Sequence, residues 1–583
     1  MRERTDEFES LSGLMHMALG VFNHFLALAA SLLFLSPTLA RPGGDSSLVP
    51  APGGAVVDLG YAAYAGSTTS PTGQPNAPVT FFGGIPYAKA PVGNLRFRAP
   101  QKLDESGHNG TVVNAMSFAP PCIQQPAVNG VGSEDCLRLN VWKPANATAN
   151  SKLPVAIYIY GGGFFAGNTA TVPMYDWVAQ HASGLVAVSI SYRVNVLGFL
   201  AGSAVHADGD FNAGLLDQRA AIEWVQRHIA KFGGDPEQVT IIGESAGGAS
   251  VVHQIVAYGG AKGAPFKRAI AQSIGYGSMI NPLSTQSEDA FANFSSAVGC
   301  STKSKSAALA CLRDASLENI TTGVNTLEIG ATVPVVDGTF IPDYPSHLIA
   351  QGRFSAVDFI GGHCSNDGRT FARLMPDQYT SDADVINDVF SRWPYVNNAT
   401  QKTLFNFYPK VNATGSPYHS YYDVTWTMDQ DAVYGCMDQF LANKMLAKGK
   451  KNVFTFRWNA PNPVALAASP WEGVMHGSDV FFLFNGSSGA GFTPFNQSEA
   501  LLSKEAIAYW TSFVSTGNPS TEKESPSPAW LSFTGSSGTS RHRIVPTIGN
   551  ETATGTVLEA ISEFEVERCA LWMEEYITAQ TKV

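Results

Sequence analysis

A serine lies between two glycines at a predicted junction of a strand and a helix. The turn Gly243-Glu-Ser-Ala-Gly247 follows the β-rich run Val239–Ile242, and Gly248–His253 is typical of the start of a helix. Glycines two residues before and after Ser245 let strand and helix pass closely, which holds the hydroxyl exposed on a sharp turn. The positive end of the helix favours a developing oxyanion. The pattern predicts a nucleophile at Ser245, and a structural glycine-rich turn is the alternative.

A catalytic serine needs a base, because its hydroxyl is a weak nucleophile, and the base needs an acid to orient it. Six histidines follow Ser245. His253 lies on the predicted helix of the nucleophile itself, about 12 Å away by helical rise, and His542 lies between arginines that oppose its protonation. His476 lies in the glycine-flanked segment Gly473–Gly477 before an apolar stretch. We predict His476 as the base, with a structural histidine as the alternative.

The acid should lie just beyond the end of a strand. The predicted strand Ala356–Gly362 runs into the polar segment His363-Cys-Ser-Asn-Asp-Gly368, which places Asp367 in a turn. Asp367 is therefore the candidate for the acid. An ordinary Asn-Asp-Gly turn, which is common at any surface, is the alternative interpretation.

An oxyanion needs at least two hydrogen-bond donors, and the backbone N–H of Ala246, directly after the serine, is one. A glycine-rich turn after an earlier strand commonly supplies the others. Gly161-Gly-Gly163 is the only such turn before Ser245 that closes a strong predicted strand, Val155–Tyr160. We predict donors in this turn, and a plain loop is the alternative.

The remaining pattern indicates how these residues are positioned. Strands are predicted over Leu139–Trp142, Leu185–Tyr192 and Val453–Trp458, and a helix over Gly214–Phe232 that stops at Gly233-Gly234. Strands that alternate with helices favour an α/β fold with a large, mostly parallel sheet. The chain of 583 residues is 44% hydrophobic and shows no linker or repeat after about residue 55, so we predict one large domain over residues 41–583.

The N-terminus resembles a secretory signal. An apolar run, Leu26–Leu35, precedes Ser36-Pro-Thr-Leu-Ala40, in which Thr38 and Ala40 fit the small-residue cleavage pattern. The segment Met1–Ser12 carries charges of both signs, which is unusual before a signal. We predict a signal peptide over residues 1–40, with a signal anchor, or a true start at Met15 or Met17, as alternatives. No later run is long and apolar enough to span a bilayer.

Charge and cysteine usage exclude several classes of function. A net charge of −11 argues against nucleic acid as a partner. Seven cysteines contain no C-x-x-C pair, so zinc is not expected. Nine N-x-S/T sequons fit an oxidising secretory route and predict N-glycosylation. They are at Asn109, Asn146, Asn293, Asn319, Asn398, Asn412, Asn485, Asn496 and Asn550.

Longer motifs surround these residues. The segment Phe232–Gly247 resembles the nucleophile signature of the type-B carboxylesterase/cholinesterase family, and Glu134–Trp142 resembles its second signature, with Arg138 where an aromatic residue or threonine is usual. Gly214–Arg219 and Thr516–Pro519 also match. The family consists of α/β hydrolases and includes yeast triacylglycerol lipases. The resemblance runs from about residue 56 to residue 572 and implies the α/β-hydrolase fold.

The resemblance implies a role for each candidate residue. Ser245 corresponds to the nucleophile, His476 to the base and Asp367 to the acid, where most members have glutamate. Gly162, Gly163 and Ala246 correspond to the oxyanion hole, and Ser273 resembles a serine that supports the triad. No metal and no organic cofactor is implied. Tyr160 stands where many esterases have histidine before the glycines, but only backbone donors are needed there.

The resemblance also implies covalent and ionic links. Three disulfides of the family map onto Cys122–Cys136, Cys300–Cys311 and Cys436–Cys569, which leaves Cys364 free. Two ion pairs map onto Arg96 with Glu134 and Arg193 with Asp217.

The loop closed by Cys122 and Cys136 departs from the family. It has 13 intervening residues and no aromatic residue, whereas lipases of the family have a long apolar lid and cholinesterases a tryptophan for the choline cation. We therefore predict a secreted, glycosylated serine carboxylesterase that acts on small soluble esters without inserting into a membrane. A triacylglycerol lipase or sterol esterase is one alternative, and an inactive adhesion protein of the same fold is another.

Overall fold

The computed structural model describes residues 55–71, 73–107, 110–301, 304–488, 491–534 and 540–583. The predicted signal segment and the sequon at Asn109 lie outside these ranges. Fourteen strands occur in the described residues. They are β1 (Val56–Asp58), β2 (Ala63–Ala65), β3 (Ser67–Thr69), β4 (Val79–Pro86), β5 (Val112–Asn114), β6 (Arg138–Pro144), β7 (Leu153–Ile159), β8 (Val186–Ile190), β9 (Gly234–Glu244), β10 (Arg268–Gln272), β11 (Asp358–Cys364), β12 (Val453–Trp458), β13 (His542–Val545) and β14 (Val557–Ala560).

Eleven of these strands form one sheet in the order β14-β13-β12-β11-β10-β9-β7-β8-β6-β4-β3, and β1, β2 and β5 form a small second sheet. From β8 to β13 every neighbouring pair within the described chain is parallel. The outer pairs are antiparallel. The central strands are mostly apolar and are buried along most of their length, as is typical of parallel sheets with both faces covered. The predicted α/β fold with a large, mostly parallel sheet is confirmed.

The helices connect and cover these strands. Their bounds are Tyr175–Gln180, Asn195–Phe199, Ser203–Asp208, Ala213–His228, Ala246–Val256, Thr285–Ala297, Lys305–Asp314, Leu317–Val324, Pro345–Ala350, Asp367–Thr370, Asp382–Ser391, Asn398–Phe407, Tyr421–Asp429, Cys436–Ala447, Pro463–Ala468, Ser478–Leu483, Gln497–Thr516, Glu563–Trp572 and Glu575–Thr581.

Two local predictions differ from the structure in detail. The helix predicted over residues 214–232 is α-helical only over Ala213–His228, and its last turn, Ile229–Phe232, tightens into a 3-10 helix. Gly233 then adopts a φ of 92° and ends it, while the next residue already begins β9. Asp367, predicted in a turn, is the first residue of the short helix Asp367–Thr370.

One long helical run contains an irregular turn. The helix Tyr421–Asp429 continues as a π-helix over Gln430–Gly435 before the α-helix Cys436–Ala447 begins. A π turn inside a helix is rare and is frequent at functional sites.

The structure contains the three disulfides that the resemblance implied, with Cα–Cα separations of 5.0, 5.6 and 4.7 Å in chain order. Cys364 is free and buried. Arg96 pairs with Glu134 at 2.6 Å, and Arg193 pairs with Asp217 at 2.7 Å. Each of the eight sequon asparagines in the described ranges is exposed. The helices described here include none that is long and apolar enough to cross a membrane.

Candidate active site

Ser245 lies on a sharp turn between β9 and the helix Ala246–Val256. Its φ of 60° and ψ of −125° are strained for a residue with a side chain. A Cβ at Gly243 would collide with the carbonyl of Gly247, and one at Gly247 would collide with the carbonyl of Ile159. These contacts explain why the turn requires a glycine on each side of Ser245. The Ser245 N–H donates to the carbonyl of Gln272 at 3.0 Å, which fixes the turn against β10.

His476 and Asp367 meet beside this turn. The His476 Nδ1 lies 2.7 Å from Oδ1 of Asp367, within hydrogen-bond distance. The other carboxylate oxygen of Asp367 accepts hydrogen bonds from the Cys364 N–H at 2.8 Å and the Ser273 hydroxyl at 2.9 Å. Asp367 is fully buried. Its carboxylate is therefore fixed by three donors, one of which is Ser273, the serine that the family resemblance implied beside the triad.

The other ring nitrogen of His476 faces the nucleophile's turn. Among the described residues, Nε2 has no hydrogen-bond partner, and it lies 3.3 Å from Oε1 of Glu244, the residue before Ser245. The ring packs against Phe371 and Tyr434, with centroids 5.1 and 4.7 Å away. The imidazole is thus oriented through Nδ1 and by two aromatic rings, while Nε2 makes no hydrogen bond to any residue that the structure describes. Its hydrogen bond to the Ser245 hydroxyl is not formed in this structure.

Three carboxylates surround the imidazole. Burial lowers the pKa of His476, but the nearby Glu244 and the hydrogen bond to Asp367 outweigh it and raise the pKa to about 9. Burial raises the pKa of Glu244 to about 8 and that of Asp479 to about 6. Gln272 donates a hydrogen bond to Asp479 and so holds this third carboxylate in place. The site therefore favours a positive charge on the imidazole.

Unpaired backbone donors flank the serine. Gly162 and Gly163 have φ values of 110° and 61°, which favour glycine. The N–H groups of Gly162, Gly163 and Ala246 donate to no other residue that the structure describes. A Cβ at Gly161 would lie 2.9 Å from the Ser245 Cβ, so the glycine turn lies directly against the nucleophile. The three predicted oxyanion donors are therefore free and close to Ser245.

Three residues around the triad had no predicted role, namely Glu244, Asp479 and Gln430. Asp479 follows the base by three residues but belongs to no motif that we used. Gln430 hydrogen-bonds to the loop that carries Asp367 from a helix far along the chain. The role of Gln430 depends on the π turn that it begins, and no spacing rule predicts a π turn from the sequence.

One group with the spacing of metal ligands occurs in the described ranges, Asp431 with Cys436 and Cys569. The two sulfurs are joined in a disulfide, so the cysteines are not thiolate ligands.

Comparisons with known proteins identify the family. The model of the carboxylesterase family matches residues 54–572. A secreted lipase of Arthroderma benhamiae is 32% identical over 483 residues, which cover 77% of this chain and 82% of the lipase. The acetylcholinesterase of Bungarus fasciatus is 30% identical over 490 residues, which cover 79% of this chain and 78% of the relative. The crystal structure of Aspergillus niger EstA superposes with a TM-score of 0.78 at 30% identity, covering 91% of this chain and 99% of that chain. The chain belongs to the carboxylesterase family of α/β hydrolases.

Proposed function

We propose that the protein is a secreted serine carboxylesterase that forms an acyl-enzyme on Ser245. The observation that carries this proposal is the His476–Asp367 pair, whose free Nε2 faces the turn of Ser245 beside three unpaired backbone donors. A nucleophile, an oriented base and an oxyanion site are the parts that acyl transfer requires.

The mechanism follows from these positions. The Ser245 Oγ attacks the ester carbonyl carbon as Nε2 of His476 takes its proton, and Asp367 stabilises the imidazolium. The carbonyl oxygen gains the negative charge and accepts hydrogen bonds from Gly162, Gly163 and Ala246. The alcohol leaves with the proton from Nε2, and water then attacks the acyl-enzyme with His476 again as base. The missing hydrogen bond from Ser245 to His476 is compatible with this, because such bonds often tighten only with substrate bound.

The loop between Cys122 and Cys136 supports an esterase with an open site. Gln125 donates to the carbonyls of Val324 at 3.1 Å and Leu327 at 2.9 Å, and Ala127 exchanges two hydrogen bonds with the side chain of Asn325. These bonds fix the first half of the loop to the end of a helix. A lipase lid must swing away, and this loop would lose four hydrogen bonds by doing so.

The loop is also tied to the oxyanion turn. The Gln125 N–H donates to the Phe165 carbonyl at 2.9 Å, and the Gly167 N–H donates to the Gln124 side chain at 2.6 Å. Movement of the loop would therefore disturb the residues that follow the glycine donors. We infer a fixed loop, an open entrance and a preference for soluble esters with short or medium acyl chains.

A lipase is the second candidate. Several relatives are named secreted lipases, and the tip of the bridged loop exposes Val128 and Val131, at 39% and 49% of their surface. Two valines cover too little apolar area for strong binding to an oil surface, at about 25 cal/mol per Å². An inactive relative is disfavoured, because each triad position carries a side chain that can perform its role.

Secretion and glycosylation are part of the proposal. Three disulfides and eight exposed sequons suit an oxidising compartment. Relatives named as secreted lipases support the same location.

The test is labelling with a fluorophosphonate. Intact mass should show one adduct, and peptide mapping should place it on Ser245. The Ser245→Ala variant should fold, take up no label and lose about 10⁴-fold or more in kcat on p-nitrophenyl esters. Label on another serine, or activity that survives in Ser245→Ala, would refute the proposal.

A further inference from the structure

The loop that carries Asp367 is held on both sides by one side chain. The Gly368 N–H donates to Oε1 of Gln430 at 3.0 Å, and Nε2 of Gln430 donates to the carbonyl of Cys364 at 2.8 Å. Cys364 and Gly368 enclose the loop, with Asp367 between them. The amide of Gln430 thus spans the loop and satisfies a backbone donor and a backbone acceptor, both buried.

The same loop lies directly on the backbone of the helix that carries Gln430. A Cβ at Gly368 would collide with the carbonyl of Trp426 and would lie 2.8 Å from the backbone nitrogen of Gln430. Gln430 is 7% exposed and begins the π turn Gln430–Gly435. The π turn also supplies Tyr434, whose ring packs on His476. One irregular turn therefore contacts both the loop of the acid and the ring of the base.

The π turn is anchored on its far side. Arg568 donates to Asp431 at 2.6 Å, and the Cys436–Cys569 disulfide follows directly after the turn. Both links join the turn to the helix Glu563–Trp572. The helical turn that carries Gln430 is therefore fixed in position by these two links.

We propose that Gln430 is a positioning residue for the reaction, which holds the Asp367 loop so that the carboxylate meets Nδ1 of His476. This inference rests on the proposed function, in which Asp367 orients the base. Only a side chain of this length with one acceptor and one donor makes both backbone bonds. Without them the first half of the loop keeps the bonds of Ser365 to Trp458 and of Asn366 to Val474. The Gly368 N–H, directly after Asp367, loses its buried partner, and we expect the carboxylate to lose its alignment to the imidazole.

Two variants test the inference. Gln430→Met keeps the length and removes both hydrogen bonds, and Gln430→Asn keeps the amide but is too short to span the loop. We expect kcat to fall about tenfold or more in both while KM changes little, because misplacement of catalytic groups costs rate. Gln439→Met is the matched control, since Gln439 is equally buried in the same helical run and donates to Glu565, away from the site.

The pH profile separates positioning from loss of folded protein. Titration with a fluorophosphonate gives the concentration of active enzyme, to which each kcat is normalised. The carboxylates that face His476 are Asp367, Glu244 and Asp479. A weaker hydrogen bond from Nδ1 of His476 to Asp367 lowers the pKa of His476. The acid limb of kcat/KM should therefore move to lower pH in Gln430→Met and stay in place in Gln439→Met.

The outcomes are distinct. If kcat in the Gln430 variants stays within twofold of wild type and the acid limb does not move, the inference is overturned while the proposed function stands. If Gln430→Met does not fold, the Asn variant decides by the same criteria. If Ser245→Ala, assayed in parallel, retains activity, the proposed function fails instead.

Discussion

Oε1 of Glu244 lies 3.3 Å from Nε2 of His476, on the side of the ring opposite Asp367. The base is therefore placed between two carboxylates, one on each ring nitrogen. Asp367 accepts the hydrogen bond that orients the ring, whereas Glu244 directly precedes the nucleophile Ser245 in the chain. A third carboxylate, Asp479, adds to the negative field.

This arrangement predicts the pH dependence of the reaction. Only the neutral imidazole accepts a proton from Ser245, and the carboxylates raise the pKa of His476 above its usual 6.5. The rate kcat/KM should therefore rise with pH through a midpoint above 6.5. Glu244→Gln removes the ionisable carboxyl group that raises this pKa and should move that midpoint to lower pH. Because Glu244 and His476 are in contact, their protons dissociate as a coupled pair in wild type.

Profiles of kcat/KM against pH check this, with the ester's own hydrolysis subtracted. Glu505→Gln is the control, since Glu505 is a buried acid whose hydrogen bonds to Ser527 and Thr556 lie outside the site. A midpoint that does not move in Glu244→Gln would show that Glu244 does not act on the base.

Removal of the charge of Asp367 should strongly reduce kcat. Asp367→Asn keeps the volume but removes the carboxylate that stabilises the imidazolium, and we expect kcat to fall about 10³- to 10⁴-fold with KM little changed. Asp367→Glu restores the charge but adds a methylene at a fully buried position, at a cost of about 1–3 kcal/mol in the free energy of unfolding. Its kcat should lie between those of wild type and Asp367→Asn, as steady-state kinetics and urea unfolding will measure. Equal activity in Asp367→Asn and wild type would exclude Asp367 as the acid.

Gly275 lies beside the nucleophile and the backbone donor of Ala246. A Cβ at this position would lie 3.2 Å from the Ser245 carbonyl carbon and 3.4 Å from both the Ser245 Oγ and the Ala246 nitrogen, and the backbone there is not in the left-handed region. Gly275→Ala should therefore fold with a small local shift and place a methyl group beside the nucleophile and an oxyanion donor. We expect kcat/KM to fall about 10²-fold.

The matched control is Gly277→Ala, because a Cβ at Gly277 would meet no atom within 4 Å. Both variants should melt within a few degrees of wild type, as seen by circular dichroism. Full activity in a folded Gly275→Ala enzyme would mean that substrate approaches Ser245 from another direction.

Because the loop between Cys122 and Cys136 is fixed, we expect no interfacial activation. The rate on a short triglyceride should follow a smooth saturating curve through the solubility limit of the substrate. Asn325→Ala, which removes the two hydrogen bonds to Ala127, should lower stability by about 1 kcal/mol and leave the shape of the curve unchanged. A sharp upward break at the solubility limit in wild type would favour the lipase.

The parts of the site differ in how far the sequence predicts them. The turn at Ser245 has a local cause, since its glycines are required by contacts within a few residues and with β7. The pairing of Asp367 with His476 has no local cause and depends on parallel strands that deliver their ends to the same edge of the sheet. Residue patterns nominated each of the two side chains separately, and the family resemblance implied that they pair. Gln430 could not be predicted, because its role depends on a π turn whose register follows from tertiary packing.

The π turn at Gln430–Gly435 has a consequence for protein engineering. A π turn holds one residue more than the α-helical turn that it replaces. Deletion of one residue between Gln430 and Gly435 would regularise the helix and leave its flanking segments nearly in register, because the π turn holds the extra residue within one turn, yet it would change the directions of the side chains inside the turn, Gln430 and Tyr434 among them. We expect a deletion of Ala432 to yield a helix of more ordinary geometry and an enzyme with little activity, which circular dichroism and ester hydrolysis would show together. A redesign guided by secondary-structure regularity alone would therefore disturb the turn from which Gln430 holds the loop of the acid.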